Sequence, residues 1–270
     1  MINRRFKANR PKITWDTNMK PYWQVIRDII NGSDIVLEIL DARMPELSRN
    51  EEIENLTKQS GKQLILVLNK ADLVSKKQLS INYEILRDKF PCFIISNKDK
   101  IGTKRLREWL IANGKNKERF KIGVLGYPNT GKSSVINSLS LAKKAPVSSK
   151  AGTTHGQHWI KSVANLEIID SPGVVPLKQE DEARLALIGS KNPEKIHNLD
   201  IVLWKIFELF HDKTIIKNLY NIPEIESNDV QEIIEAICKK RGFIKKQGLI
   251  DETRLAIQVI RDWQSGKLRL

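Results

Sequence analysis

The chain has 270 residues, 40% hydrophobic and 29% charged, which is enough apolar material to bury a core and excludes a compositionally disordered polymer. Its formal net charge of +14 and pI near 9.7 indicate a polyanionic partner, although lysine-rich residue usage would also raise the charge. Two cysteines, no apolar run of about 20 residues and no signal-peptide pattern argue against a disulfide framework, membrane insertion and export, and predict a cytoplasmic protein.

The chain begins with a basic segment, residues 1–19, which we interpret as an RNA-binding arm. No acidic residue interrupts its first cations, which are Arg4, Arg5, Lys7, Arg10 and Lys12. Apolar residues then recur at helical spacing from Trp23 to Ile30, before Gly32 and Ser33 end the pattern. This spacing predicts an amphipathic helix.

Short apolar runs alternate with helical patterns through the next part of the chain, residues 20–178. Strands are predicted at 35–41, 63–69, 92–96, 121–126 and 166–170, and helices near 76–89, 103–114 and 132–141. Continuous apolar strands that alternate with helices are typical of a doubly wound, mostly parallel sheet. We therefore predict an α/β fold for this domain.

Helical spacing replaces the strand pattern in residues 179–270, which predict a small all-helical domain. The apolar positions recur over 201–210, 230–238 and 254–263. Between the last two stretches lies a second basic cluster, which we also assign to RNA binding: Lys239, Lys240, Arg241, Lys245 and Lys246.

The sequence from Gly126 to Ser133 fits the phosphate-loop pattern G-x-x-x-x-G-K-[ST], between a predicted strand and a predicted helix. Its backbone N–H groups would surround the α and β phosphates, and the helix N-terminus would add positive charge. Lys132 should reach the β and γ phosphates. Ser133 should bind Mg²⁺, which prefers oxygen ligands. Together with Asn129, Thr130, Gly131 and Ser134, these residues form the predicted phosphate site.

The segment Asn69-Lys70-Ala-Asp72 follows a predicted strand, at the sheet edge where α/β folds bind ligands. The Asp72 carboxylate can accept two hydrogen bonds from guanine, a pair of donors that adenine lacks. The alternative is that Asp72 caps the helix that follows. Ser96, Asn97 and Lys98, at the next strand end, are expected to close over the base.

A third motif, D-x-x-G, occurs from Asp170 to Gly173 and predicts a switch segment. Asp170 would lie near Mg²⁺ and the Gly173 N–H near the γ-phosphate. The polar stretch 148–158 between the two phosphate motifs contains Thr153 and Thr154, and we favour Thr154 as the second Mg²⁺-binding hydroxyl, although both threonines would also suit an exposed loop. Lys132, Thr154 and Gly173 are the predicted catalytic set.

The order of these motifs is unusual, because Asn69–Asp72 and Ser96–Lys98 precede the phosphate loop instead of following it. With Asp41-Ala-Arg43 and Ser48-Arg-Asn50 after the first strand, this order resembles the YlqF/YawG family of circularly permuted ribosome-assembly GTPases. The resemblance implies GTP and GDP binding, GTP hydrolysis, Mg²⁺ dependence, and action on a precursor of the large ribosomal subunit through its rRNA. It also implies a monomer when the protein is off the ribosome, and hydrolysis that is slow without the ribosome.

Two positions qualify this resemblance. Val174 follows the D-x-x-G motif where many GTPases have glutamine, and residues 16–20 lack the histidine of related bacterial sequences. The water-orienting group is therefore not identified; His155 and His158 are candidates, but a solvated loop fits them as well. Asn129 occupies the position that binds K⁺ in similar GTPases, or it stabilises the loop by hydrogen bonding.

Other functions share part of this pattern. A GTP-switched module that acts on another RNA, such as tRNA, or on a protein complex would also combine these motifs with a basic chain. An ATP-driven phosphotransferase would need the phosphate loop, but Asn69–Asp72 argues against it.

Overall fold

A computed structural model describes residues 19–140, 158–170 and 182–270. Its centre is a six-stranded sheet in the order β3-β2-β1-β4-β6-β5. The strands are β1 (Ile35–Asp41), β2 (Gln63–Asn69), β3 (Cys92–Ile94), β4 (Phe120–Leu125), β5 (His158–Lys161) and β6 (Leu166–Asp170). All neighbouring pairs are parallel except β5 and β6, which pair antiparallel at the sheet edge. The predicted α/β class is confirmed.

Helices cover the sheet, and the last helices of the chain form a layer of their own. They are α1 (Met19–Gly32), α2 (Pro45–Ser48), α3 (Glu51–Gln59), α4 (Lys76–Arg87), α5 (Thr103–Gly114), α6 (Lys132–Leu139), α7 (Glu182–Leu187), α8 (Leu199–Glu208), α9 (Thr214–Leu219), α10 (Val230–Arg241) and α11 (Glu252–Ser265). The predicted strands at 35–41, 63–69 and 166–170 and the predicted helix at 103–114 have the observed bounds.

Strand β1 shows why the apolar runs form buried strands. All seven of its residues are buried, because β2 and β4 lie on either side and helices cover both faces. Alternate side chains enter two different cores. Val36 and Leu40 pack with residues of α1, α3 and α4, whereas Leu37 and Ile39 pack with residues of α5 and α6.

The helices from α7 to α11 share a third core. Trp263 of α11 is fully buried in it, lies edge-on to Phe210 and donates its indole N–H to the Leu187 carbonyl at 2.7 Å. Met44 and Leu47 contact both this core and the α1 face of the sheet. The helical layer therefore packs against the sheet close to the end of β1.

Several local expectations were incomplete. No sequence pattern predicted β5, a four-residue edge strand, or the short helices α2, α3, α7 and α9. His158 begins β5, so it is a strand residue and the expectation of a loop histidine is wrong at this position. Ile201 and Trp204, which follow the helical spacing of the apolar residues of α8, are 47% and 39% exposed.

Other expectations lie outside the described residues. These are the basic arm before residue 19, the domain boundary between 178 and 179, and the segments that contain Thr154, His155 and Gly173. Within the described ranges, every helix is too short or too polar to cross a membrane.

Candidate nucleotide-binding site

The phosphate loop connects β4 to α6, as its sequence context predicts. Gly126 has φ 138° and Gly131 has φ 95°, conformations that side chains with a Cβ rarely adopt. A Cβ on Gly126 would lie 2.6 Å from the Ile39 carbonyl oxygen, and one on Gly131 would collide with the Asn69 amide. Both glycines are therefore required where the loop backbone passes between β1 and the loop after β2.

Lys132 begins α6 and is buried inside the loop. Its Nζ donates hydrogen bonds to the Gly126 and Tyr127 carbonyls at 2.9 and 2.8 Å. Thr130 is fully buried and its hydroxyl donates to the Tyr127 carbonyl at 2.9 Å. The hydroxyl and the N–H of Thr130 both donate to the Tyr127 carbonyl, so Thr130 shapes the loop.

The loop after β2 places Asp72 in a 3₁₀ turn, Ala71–Leu73, immediately after Lys70 in the left-handed conformation at φ 61°. Helix α4 begins later and is capped by Ser75, whose hydroxyl accepts from the Gln78 N–H. The interpretation of Asp72 as the cap of this helix is therefore wrong. Its carboxylate instead accepts a hydrogen bond from the Ser96 hydroxyl at 2.9 Å.

The two motifs meet in space although they are far apart in the chain. Asn69 Nδ2 donates to the Thr130 carbonyl at 2.8 Å, and Asn97 Nδ2 donates to Asn69 Oδ1 at 3.2 Å. These bonds join the phosphate loop, the loop after β2 and the loop after β3. Asn97 Oδ1 is buried and has no hydrogen-bond partner within the described residues. A buried acceptor of this kind suits a ligand that brings its own donors.

A cavity of about 380 Å³ lies between these loops. Seven predicted site residues line it, namely Asn69, Lys70, Asp72, Asn97, Lys98, Gly131 and Ser134. Ser96 is fully buried behind Asp72, so it positions the carboxylate and does not face the cavity. Residues after α11 also line the cavity, and no sequence pattern pointed to them.

Asn129 is held at φ 60°, and its Nδ2 donates to the Gly189 carbonyl at 2.5 Å. The neighbouring Pro128 carbonyl accepts from the Ser190 hydroxyl at 3.0 Å. Of the two interpretations of Asn129, the structure shows loop hydrogen bonding, and this bonding reaches the segment after α7. Binding of K⁺ stays a prediction.

The expected Mg²⁺ residues approach the same edge of the sheet. Ser133 lies in the first turn of α6, and Asp170 ends β6, where it pairs in register with Val124, two residues before Gly126. The first turn of a helix carries partial positive charge, which favours phosphate beside Ser133. Thr154 and Gly173 belong to segments outside the described residues, so Mg²⁺ coordination by the complete set stays a prediction.

A buried ionic network at the end of β1 is a feature that sequence reasoning did not resolve. The Asp41 carboxylate accepts from Lys70 Nζ at 2.9 Å and from two nitrogens of Arg43 at 3.0 and 2.8 Å. Burial opposes ionisation of Asp41, but the charges of Lys70 and Arg43 outweigh it and hold its pKa below the ordinary range. Arg43 also stacks over Trp263 of α11 at 4.2 Å and donates to its carbonyl at 2.5 Å.

The second basic cluster lies at the end of α10 and in the loop that follows, and all five of its cations are exposed. Lys239 lies 3.7 Å from Glu235 and Lys240 lies 3.9 Å from Glu224. Exposed ion pairs of this length contribute little. The cluster therefore stays accessible to a polyanion.

Two family models and several known proteins match this chain. The family model described as RsgA GTPase matches residues 30–179, and the model described as 50S ribosome-binding GTPase matches residues 121–242. The Ribosome biogenesis GTPase A of Bacillus cereus is 30% identical over 251 residues, which are 87% of this chain and 84% of that protein.

Other relatives are longer than this chain. An uncharacterized GTP-binding protein of Methanocaldococcus jannaschii is 38% identical, over 92% of this chain and 66% of that protein. The nuclear GTP-binding protein NUG1 of Saccharomyces cerevisiae is 33% identical, over 94% of this chain and 56% of that protein. The chain thus spans about half to two thirds of these two relatives. The crystal structure of GNP-bound YlqF from T. maritima shares the fold, with a TM-score of 0.64 and 24% identity over 93% of this chain and 95% of that one.

Proposed function

Because the chain belongs to the YlqF/YawG family of circularly permuted GTPases, we propose that it binds and hydrolyses GTP during assembly of the large ribosomal subunit. The family is linked to ribosome biogenesis through relatives such as the Bacillus cereus protein. The specific subunit, its rRNA and the catalytic activity of this chain are the parts that we propose.

The hydrogen bond from Asn69 to the Thr130 carbonyl is the observation that carries the nucleotide proposal. It joins the loop that would read the base to the loop that would hold the phosphates. Residues of both loops line one cavity, although the motifs occur in reversed order along the chain. Parallel strands explain this, because β2, β1 and β4 are neighbours and all end at the same sheet edge.

Each loop has a role that follows from its chemistry. Asp72, held by Ser96, would accept the two donors of the guanine edge, and the amide of Asn97 would complete the polar rim. The backbone leaves no room for a Cβ at Gly126 or at Gly131, which suits a loop whose N–H groups must approach phosphate oxygens. Lys132, at the base of the same loop, would bring its positive charge to the β and γ phosphates.

The residue types fit Mg²⁺, since Ser133, a hydroxyl residue, lies in the first turn of α6 and Asp170, an acidic residue, ends β6, the strand that pairs with β4. When bound, the ion would neutralise charge on the phosphates. Thr154 is the second hydroxyl that we propose, with K⁺ beside Asn129. No side chain within the described residues has been identified as the one that orients water. We therefore propose that hydrolysis is slow alone and is stimulated by the ribosome.

The proposed partner is a precursor of the large ribosomal subunit. The supporting features are the names of the relatives, the net charge of +14 and the exposed cluster after α10. Phosphate contacts from such lysines give affinity with little sequence information, so positioning on rRNA would need further contacts. We also propose a monomer off the ribosome and a cytoplasmic location.

Cosedimentation tests this proposal. The protein, loaded with a non-hydrolysable GTP analogue, should sediment with large-subunit precursor particles and should do so less with GDP. Free tRNA is the competitor, added so that its concentration of RNA residues equals that of the particles. If tRNA removes the protein from the particles, the alternative of a module for another RNA is favoured. If GTP and ATP compete equally for the protein, guanine recognition itself is wrong.

A further inference from the structure

The cavity beside Asp72 has one wall that does not come from any GTPase motif. Four of its lining residues belong to the end of α11 and the segment after it: Ser265, Gly266, Lys267 and Arg269. We call residues 266–270 the α11 tail. The tail lines the same cavity as Asn69, Asp72 and Asn97, so a base bound there would have the tail within reach.

Backbone hydrogen bonds hold the α11 tail against the base-reading loop. Ser75 N–H donates to the main-chain oxygen of Leu270 at 2.7 Å, and Leu270 N–H donates to the Leu73 carbonyl at 3.0 Å. Leu73 and Ser75 lie one and three residues after Asp72. Gly266 ends α11 at φ 78°, where a Cβ would lie 2.8 Å from the Leu73 side chain. The contact therefore involves paired backbone and tight packing.

The tail is also anchored to the helical core. Leu268 is fully buried there, and the N–H groups of Lys267 and Leu268 both donate to the Asp262 carbonyl. Two charged side chains remain near the cavity. Lys267 Nζ lies 3.1 Å from Asp262 Oδ1, and Arg269 makes one hydrogen bond within the described residues, from Nε to the Gly266 carbonyl. The terminal nitrogens of Arg269 are available to a ligand.

A second contact joins α11 to the same loop through different residues. Arg43 stacks on Trp263 and shares the Asp41 carboxylate with Lys70, which lines the cavity. Trp263 lies only one turn before the tail in α11. Helix α11 therefore contacts the base-reading loop in two ways. The backbone of its tail pairs with the loop, and Trp263 packs on Arg43, which belongs to the buried ionic network with Asp41 and Lys70.

We propose that the α11 tail is part of the guanine-nucleotide site, with Lys267 and Arg269 contacting the base or ribose end of the nucleotide. This rests on the proposed function, and it adds a consequence. Because the tail is fixed both to Leu73 and Ser75 and to the helical core, nucleotide binding strengthens the docking of α11 on the sheet. By linkage, any partner that displaces α11 weakens nucleotide binding by the same factor.

Calorimetric titration of the 270-residue chain with GDP and with a non-hydrolysable GTP analogue tests the contact. The combined Lys267→Ala and Arg269→Ala variant should bind both nucleotides roughly ten-fold or more weakly, by the same factor, because the tail lies at the base end of the site. The matched control is Arg87→Ala with Lys104→Ala, which likewise removes one arginine and one lysine, but from exposed positions on α4 and α5. Its affinities should stay within about two-fold of wild type.

Three outcomes are distinguishable. If the wild-type chain binds no guanine nucleotide, the proposed function fails. If it binds and the tail variant matches the control, the inference alone is overturned. If the tail variant also unfolds at a lower temperature without nucleotide, the milder Lys267→Gln and Arg269→Gln variant, which removes both charges but keeps polar side chains, decides the matter: wild-type stability with weakened binding supports the contact, and wild-type stability with wild-type binding overturns it.

Hydrogen exchange on the wild-type chain tests the docking without any substitution. The amides of Ser75 and Leu270 donate the two hydrogen bonds of the contact. Saturating GDP should slow exchange at both amides, while amides in α10, remote from the cavity, should change little. Unchanged exchange at Ser75 and Leu270 under saturating GDP would overturn the proposed coupling.

Discussion

Replacing Asp72 with asparagine should exchange guanine for xanthine as the preferred base. In the structure one carboxylate oxygen of Asp72 accepts from the Ser96 hydroxyl at 2.9 Å. The amide oxygen of asparagine can accept the same bond, so the new side chain should keep this orientation and present its NH₂ group to the cavity. Guanine then meets a donor where it also donates, whereas xanthine has a carbonyl at that position.

The expected size follows from the bonds that are lost. A hydrogen bond to a charged group contributes about 1.5–3 kcal/mol, and guanine offers two donors to this carboxylate. Asp72→Asn should therefore weaken GDP binding by roughly 3–6 kcal/mol, or about 10²- to 10⁴-fold. Xanthosine diphosphate (XDP) should bind the variant more tightly than GDP does, because the carbonyl of xanthine matches the amide donor of the new side chain in the Asp72→Asn variant.

Competition against a fluorescent guanine nucleotide measures both affinities. Asp99→Asn is the matched control, since Asp99 is exposed near the same loop and does not line the cavity. The control should keep the wild-type preference for GDP. An Asp72→Asn variant that folds normally and still prefers GDP over XDP would refute the assignment of Asp72 to base reading.

Three other substitutions test separate parts of the molecule. Lys132→Ala should weaken GDP binding far more than Lys70→Ala, because Lys132 lies inside the phosphate loop whereas the Lys70 ammonium pairs with Asp41; equal losses by calorimetry would contradict these roles. Alanine at Lys239, Lys240 and Arg241 should lower the log–log salt slope of RNA binding by ~0.7–0.9 per contact and leave GDP affinity unchanged, so an unaltered slope would make the cluster an ordinary solvated surface. Burial and, to a smaller extent, repulsion by Glu54 raise the pKa of Glu38 to about 8. The wild-type protein should therefore lose on the order of 3–5 kcal/mol of unfolding free energy as pH rises from about 4.5 to about 8. Glu38→Gln should remove this loss and flatten the pH dependence of stability. Urea midpoints at pH 5 and pH 8 measure this, and equal shifts in wild type and variant would show that Glu38 is not the titrating group.

The parts of the site that are contiguous in sequence were predictable from it. Glycine spacing, a lysine and a hydroxyl residue predicted the phosphate loop, and apolar runs predicted the strands that lead into it, because β1, β2 and β4 are buried on both faces. The order of the motifs also gave the circular permutation. Edge strand β5 and the short helices gave no comparable signal, since four to nine residues carry little periodicity.

The sequence by itself therefore determined a GTPase with a permuted motif order, and it predicted which loops bind the nucleotide, since each motif needs only a few neighbouring residues. The tertiary structure decided how the helical layer meets that site. Arg43 and Trp263 are 220 positions apart, and Leu270 pairs with Leu73 and Ser75, which lie far from it in the chain. Local patterns record which face of a helix is apolar, but not which loop that face will meet, because this depends on how the separate cores pack together.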